Sequence, residues 1–241
     1  MHLPTLAATL LCAAGAAATE SFALEAFAVE QPDVRRPFLD VRLGYGWAPT
    51  PDRYEIRHAT GTGDVAQVAT VADDPAHAIS LGWVGGKLAP IGPVGGIEMN
   101  LTTVSQHLDG FSDGGVAVAL PGNQPELGYQ SYGGTLLGGL GLRLARNLHV
   151  EALGTLGGGW IDMEFPNDSA TGTIDGGGTY WSYGARVGAY LAIDVFVIGV
   201  VGIWSETSYE ADANWDDGSN TATEGEFDGF GVRLEIGARI Q

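Results

Sequence analysis

Gly229-Phe230-Gly231-Val232-Arg233-Leu234-Glu235-Ile236-Gly237-Ala238-Arg239-Ile240 alternates with a period of two. Phe230, Val232, Leu234, Ile236, Ala238 and Ile240 fall on one face, and Gly229, Gly231, Arg233, Glu235, Gly237 and Arg239 on the other. Only an extended strand separates side chains in this way. The second face decides the fold. A soluble barrel points its apolar face inward and presents many Lys, Glu and Ser to water. Glycine with isolated arginine and glutamate suits a narrow, enclosed interior instead, which leaves the apolar face to point outward.

Seven further segments read the same way. Phe38 to Ala48 places Leu39, Val41, Leu43, Tyr45 and Trp47 on one face. Ile79, Leu81 and Trp83 make a second segment, and Ile97, Met99 and Leu101 a third. Leu136 to Leu144, Leu148 to Trp160 and Trp181 to Ile193 follow, and Val195 to Trp204 is apolar on both faces, so its register is open. Short connections (Pro90-Ile91-Gly92-Pro93, Ala145-Arg146-Asn147, Ile193-Asp194) alternate with long ones. Tight turns at one end and long polar loops at the other are the arrangement of a transmembrane β-barrel. Tyr45, Trp47, Tyr132, Trp160, Trp181, Tyr183, Trp204 and Phe230 fall at the strand ends that adjoin the long loops, the position of an interfacial aromatic girdle. The expected fold is all-β, an eight-stranded antiparallel transmembrane barrel with short periplasmic turns and four long extracellular loops. In the first of these, Arg53 to Ala59 and Asp64 to Ala72 flank Gly61-Thr62-Gly63 and read as a hairpin projecting beyond the membrane, too short to add spanning strands.

Glycine numbers 38 of 241 residues without a collagen period, and Val, Ile, Trp and Tyr are plentiful, so neither collagen nor disorder fits. The net charge of -18 opposes nucleic-acid phosphates as partners. A single cysteine excludes a disulfide framework. Leu3 to Ala18 is a short alanine-rich apolar run closing on Ala16-Ala17-Ala18, which reads as a signal peptide over 1-18, with cleavage as late as 28 as the alternative. Residues 19-36 read as a periplasmic lead-in, and 37-241 as the barrel.

With this layout the chain resembles the small outer-membrane β-barrels of Gram-negative bacteria, the OmpA-like transmembrane domain, OmpX and OmpW group often labelled porin family. The resemblance covers about residues 37 to 241 and rests on pattern. It implies location in the cell outer membrane, contact with outer-membrane lipid and lipopolysaccharide, delivery by the barrel-assembly machinery, and a monomer. The last strand is similar to that group's assembly signal, although Arg239-Ile240-Gln241 stands where a terminal aromatic is usual.

Eight strands enclose an interior that side chains can fill. Asp40, Glu98, Glu151 and Glu235 share the inner face with Arg42, Arg143, Arg186, Arg233 and Arg239. An uncompensated buried charge costs about 3 to 5 kcal/mol, so these groups are expected to form one lumenal ion-pair network. Asp212, Asn214, Asp216 and Glu224 follow the ligand order of a calcium loop, with Asp217 inserted. Solvated acidic loop residues are the plainer reading, and no cofactor is expected otherwise. Ser105, His107 and Asp109 share the outer face of the third segment, but three residues in a row converge poorly as nucleophile and base. His149 lies near Glu151 and is expected to make a structural hydrogen bond. These features favour a non-enzymatic surface or envelope barrel with acidic extracellular loops. The alternatives are a narrow channel for small solutes or ions and a hydrolase that modifies lipid A. The four long loops hold twenty acids against Arg53 and Arg57, so nearly all the negative charge faces outward.

Overall fold

The computed structural model describes residues 37–51, 53–60, 63–71, 74, 76–113, 116–118, 126–166, 173–214 and 220–240. The signal-peptide and lead-in expectations lie outside them. The described strands are β1 (Phe38–Ala48), β2 (Arg53–Thr60), β3 (Gly63–Val71), β4 (Ala76–Gly86), β5 (Ile91–Asp113), β6 (Val116–Val118), β7 (Glu126–Arg143), β8 (Leu148–Pro166), β9 (Thr173–Ile193), β10 (Phe196–Asn214) and β11 (Asn220–Ile240).

Eight of these form a closed antiparallel ring, in the order β1-β4-β5-β7-β8-β9-β10-β11, with β11 returning to β1. The closing register pairs Leu39 with Ile240 and Trp47 with Val232. Closure removes the free edges that a bilayer does not tolerate. No helix among the described residues is long and apolar enough to cross a membrane.

Alternation places side chains as the sequence requires. On β11, Phe230, Val232, Leu234 and Ile236 are exposed, while Arg233 and Glu235 are buried inside. Phe230 to Ile240 spans ten residue steps of about 3.4 Å, which at a tilt near 40° rises about 26 Å, close to the ~25 Å apolar band of such barrels. Girdle residues are neighbours across strands: Phe230 lies opposite Trp204, and Tyr132 opposite Trp160. Tyr132 stacks on Trp160, Trp181 on Tyr183, and Tyr183 meets Trp204 edge-on.

The strands do not end at the girdle, which corrects the expected strand boundaries. β5 runs 23 residues, against the ~9–11 that cross a membrane. Above the girdle the alternation inverts. On β8, Leu148, Leu156 and Trp160 point outward below the transition, whereas Asp162 and Glu164 point outward above it and Ile161 and Met163 turn inward. The same chain thus passes from lipid to water by exchanging the contents of its two faces. Inside the upper barrel, Tyr54, Val104, Leu108, Leu127, Tyr129, Ile161, Met163, Tyr209 and Ala211 form an apolar core.

β1 and β4 stop near the girdle, and the hairpin β2–β3 takes their place between β11 and β5. The hairpin crosses no membrane, as expected, yet it is part of the barrel wall and keeps the ring at eight strands. Its entry, Pro49 to Pro51, carries two residues without a backbone donor; Gln106, fully buried, donates to the Pro51 carbonyl and accepts from the Tyr54 hydroxyl. At the opposite end the turns are short. β5 starts at Ile91, so the first turn is Lys87 to Pro90, of the expected length but three residues earlier, with the Lys87 amide bonded to the Pro93 carbonyl. Asp194 takes φ 56° in the two-residue turn between β9 and β10, a conformation Asp tolerates better than most residues.

Candidate functional site

The lumen holds the chemistry. Inward positions of β1, β5, β8, β9 and β11 bring together Asp40, Arg42, Glu98, Glu151, Arg186, Arg233 and Glu235, all buried, with Arg239 at the lower margin. The lower part is organised by Arg42. It bonds both oxygens of Glu151, at 2.8 and 2.7 Å, and Asp40 at 2.9 Å. Arg239 holds Asp40 from the other side at 2.8 and 3.0 Å and lies over the Phe38 ring. His149 reaches Glu151 at 3.2 Å and stacks on Tyr190. In the upper part, Arg186 and Arg233 both contact Glu98 and Glu235, and Arg233 grips both oxygens of Glu98. Tyr190 joins the two: its hydroxyl accepts from Arg186 at 2.6 Å and donates to Glu235 at 2.9 Å, while Arg42 sits 4.0 Å over its ring.

Glycine creates the room for this packing. A Cβ at Gly199 or Gly188 would lie 2.2 or 2.6 Å from the Tyr190 ring, so neither position accepts a side chain without displacing it. Val197, Val201 and Ile203 continue the apolar surface against this ring. The inward face of β10 is therefore apolar as well, with Phe196, Ile198 and Val200 outside, which settles the register that periodicity left open.

Arg143 does not join the network. It is the last residue of β7, and its guanidinium bends to the carbonyls of Ala145 and Arg146 in the turn. Its departure leaves four guanidiniums with four carboxylates, a balanced lumen. Arg42 Nε and Arg186 Nε have no hydrogen-bond partner, so the packing leaves some polar groups unsatisfied.

The lumen is not filled along its whole length. Above Glu98, Arg186 and Arg233 lies a cavity of about 140 Å³, overlain by Tyr129, Ile161, Tyr180 and Phe227 from the apolar side of the upper barrel. Sequence reasoning foresaw space from glycine but not this chamber, whose sign is the inward Ser and Thr residues around the level of the girdle.

The remaining candidates lie outside the lumen. Ser105, His107 and Asp109 are exposed on the outer face, as expected, but above the girdle instead of facing lipid. Ser105 donates to Glu126 at 2.8 Å, and His107 lies between Asp74 and Glu126. The histidine thus binds carboxylates, and the serine does not point its proton at it. Asp212 and Asn214 lie on the extended β10 opposite Ala222 and Asn220, and Glu224 opposite Glu210; Asp216 is outside the described residues. Among the described residues, no group of three or more His, Cys, Asp or Glu is placed to hold a metal ion.

Burial raises Tyr54 and Tyr129, in the upper barrel, well above the ordinary tyrosine value, and pushes Tyr209 up to about 12. A raised folded-state value stabilises the fold fully below the unfolded value near 10, and that contribution is lost as pH rises through the folded one. At pH 11 the folded protein should show at least three fewer tyrosinates by ultraviolet absorbance than the denatured protein. Ordinary titration of all eight tyrosines while the protein stays folded would contradict the packed upper core.

An even-numbered closed ring, apolar outside and polar inside, with an aromatic girdle and short turns at one end, makes the chain a transmembrane β-barrel of the Gram-negative outer-membrane type. No family model matches the chain, and no curated protein matches it. It is similar to the solved structure of Ail, the attachment invasion locus protein of Yersinia pestis, in complex with the heparin analogue sucrose octasulfate: 13% identity over 84% of this chain and 99% of that one, TM-score 0.37. It is similar to the outer membrane protease OmpT from Escherichia coli at 10% identity, covering 84% and 95%, TM-score 0.40. It is also similar to the outer membrane protein OprG from Pseudomonas aeruginosa at 14% identity, covering 85% and 96%, TM-score 0.45. What makes this chain a membrane barrel is its own belt, lumen and register.

Proposed function

We propose that the protein is a non-enzymatic envelope barrel with a sealed lumen, which presents a rigid acidic collar to the outer-leaflet headgroups. The observation that carries this reading is the balanced network of ion pairs, whose members are buried in the lower lumen. An open aqueous path would need those groups hydrated and separated.

The collar follows from the inverted alternation. Glu206 lies opposite Asp228, two pairs above Trp204 and Phe230, and Glu210 lies opposite Glu224, four pairs further along the same face. Like charges directly opposite on neighbouring strands destabilise the pair, and divalent cations relieve that repulsion. At this height the neighbours are anionic lipopolysaccharide headgroups, so Mg²⁺ or Ca²⁺ shared between collar and lipid is the interaction favoured. Flotation of refolded protein with lipopolysaccharide vesicles tests it. Association should rise several-fold with millimolar Mg²⁺, fall on chelation, and lose its cation dependence in a Glu206→Gln/Glu210→Gln/Glu224→Gln/Asp228→Asn variant. Binding indifferent to Mg²⁺, or stronger after chelation, would contradict it.

The Ser105–Glu126–His107–Asp74 cluster enters this reading as a polar clasp between the start of β7 and the segment before β4. It joins separate parts of the upper wall at a site where a serine–histidine pair is not formed.

A further inference from the structure

The chamber above the ion pairs has walls of one chemical kind. Asn100, Ser131, Thr155, Ser182, Ser205 and Thr207 line it, from β5, β7, β8, β9 and β10. All six are partly exposed on inward-facing positions, so the surface they expose is surface to the chamber. Of the six, only Asn100 makes a side-chain hydrogen bond to a described residue, donating to Thr135 at 2.8 Å. Five hydroxyls are left with donor and acceptor capacity turned into one space. Gly157 keeps that space clear: a Cβ there would lie 2.7 Å from the Thr135 hydroxyl and 3.0 Å from that of Ser182.

The floor is charged but offers no net charge. Both oxygens of Glu98 are taken by Arg233, and Arg186 adds a second hold. A free ion entering the chamber would leave water to meet groups already neutralised by one another, at a desolvation cost nothing in the walls offsets. A neutral solute carrying several hydroxyls exchanges its hydrogen bonds to water for bonds to the wall at little net cost. Leu137 and Ile203 add apolar contact for its carbon skeleton. A water needs roughly 10–15 Å³ of such space, so a cavity of about 140 Å³ holds on the order of ten waters, or one molecule of polyol to monosaccharide size.

We propose that this chamber is a binding site for a single small, uncharged, polyhydroxylated solute. The solute spans the hydroxyls of β7 to β10, with its carbon skeleton against Leu137 and Ile203, above the ion-paired floor. Tyr129, Ile161, Tyr180 and Phe227 border the chamber from above. The proposal is independent of the collar, which lies on the opposite side of the wall.

Methyl NMR on the full refolded chain, labelled at isoleucine, tests it with glycerol, erythritol, myo-inositol and D-glucose as the probes. Ile161 and Ile203 report from the chamber, and Ile97 and Ile198 from the lipid face. At least one of the four probes should give saturable shifts at Ile161 and Ile203 and none at Ile97 and Ile198. A Ser182→Ala/Thr207→Val variant should bind it at least roughly tenfold more weakly, because two wall hydroxyls are gone. Ser205→Phe, which fills the chamber, should abolish the saturable shifts. The wild-type titration decides even if either variant fails to fold. No saturable shift with any of the four probes means a chamber that holds water only, and overturns the proposal. Saturation by acetate, ammonium or glycine in place of the polyols overturns it as well, as does unchanged binding to a folded Ser205→Phe protein.

Discussion

Arg42→Ala should destabilise the folded barrel by about 3–5 kcal/mol, the cost of leaving a buried carboxylate without its partner. Arg42 supplies two hydrogen bonds to Glu151 and one to Asp40, and covers the Tyr190 ring. Without it, Asp40 keeps Arg239, but Glu151 keeps only His149, in a place almost closed to solvent. The compensating variant, Arg42→Met/Glu151→Leu, removes both charges and should recover most of the loss, since apolar replacement of a whole buried pair is often neutral or stabilising. The unpartnered Arg42 Nε supports this direction. Urea titration, read by the gel mobility of unboiled samples, gives both numbers. A single variant within about 0.5 kcal/mol of wild type, with no recovery in the double variant, would mean that Glu151 is hydrated in an open path.

Ile236→Arg should cost about 2–4 kcal/mol in a bilayer, the range for arginine near the midplane of a barrel's lipid face. Ile236 is half exposed, points away from the lumen, and lies between Leu43 and Ile198 with the girdle above and the turns below. In water, the same exposed position would accept arginine at almost no cost. The matched control is Asp228→Arg, two pairs above the girdle on the same outer face, where a cation enters a field of acids and should leave stability unchanged or higher. Refolding into lipid vesicles followed by urea titration compares the two. Equal tolerance at 236 and 228 would contradict the placement of the apolar belt in lipid.

The membrane half of this architecture is legible in the sequence because its physics repeats every second residue. Apolar side chains facing lipid and glycine or charge facing the lumen mark seven of the eight spanning strands directly. β10 is the exception for a packing reason: the Tyr190 ring presses on Gly199, and Val197, Val201 and Ile203 continue that surface, so the inner face is as apolar as the outer. The strand extensions are hidden for a different reason. Their outward acids and hydroxyls look like loop composition, and their inward apolar residues, such as Leu127 and Tyr129 or Ile161 and Met163, stand on the opposite parity from those below. A change of phase, instead of a loss of periodicity, is the sign of a strand leaving the bilayer.

The candidate site divides in the same way. Parity places eight of the nine expected network residues in the lumen and also assigns Arg143 there, because parity carries no information about a last residue that can bend to a turn carbonyl. It gives no pairing either. That Arg186 and Arg233 share Glu98 and Glu235 depends on the ring bringing β5 to face β9 and β11, which are distant in the sequence. Acids counted as loop charge, among them Glu206, Glu210, Glu224 and Asp228, stand on paired strands, so the crown of charge is a fixed wall.

Planar bilayer recording of the purified, refolded protein tests the central claim most directly. With insertion verified by protease protection of the same preparation, the ion-paired lumen should give no steady conductance above the bare bilayer across ±100 mV, a field worth about 2.3 kcal/mol per elementary charge moved fully across it. Steady, reproducible conductance steps from the wild-type protein would contradict a sealed lumen.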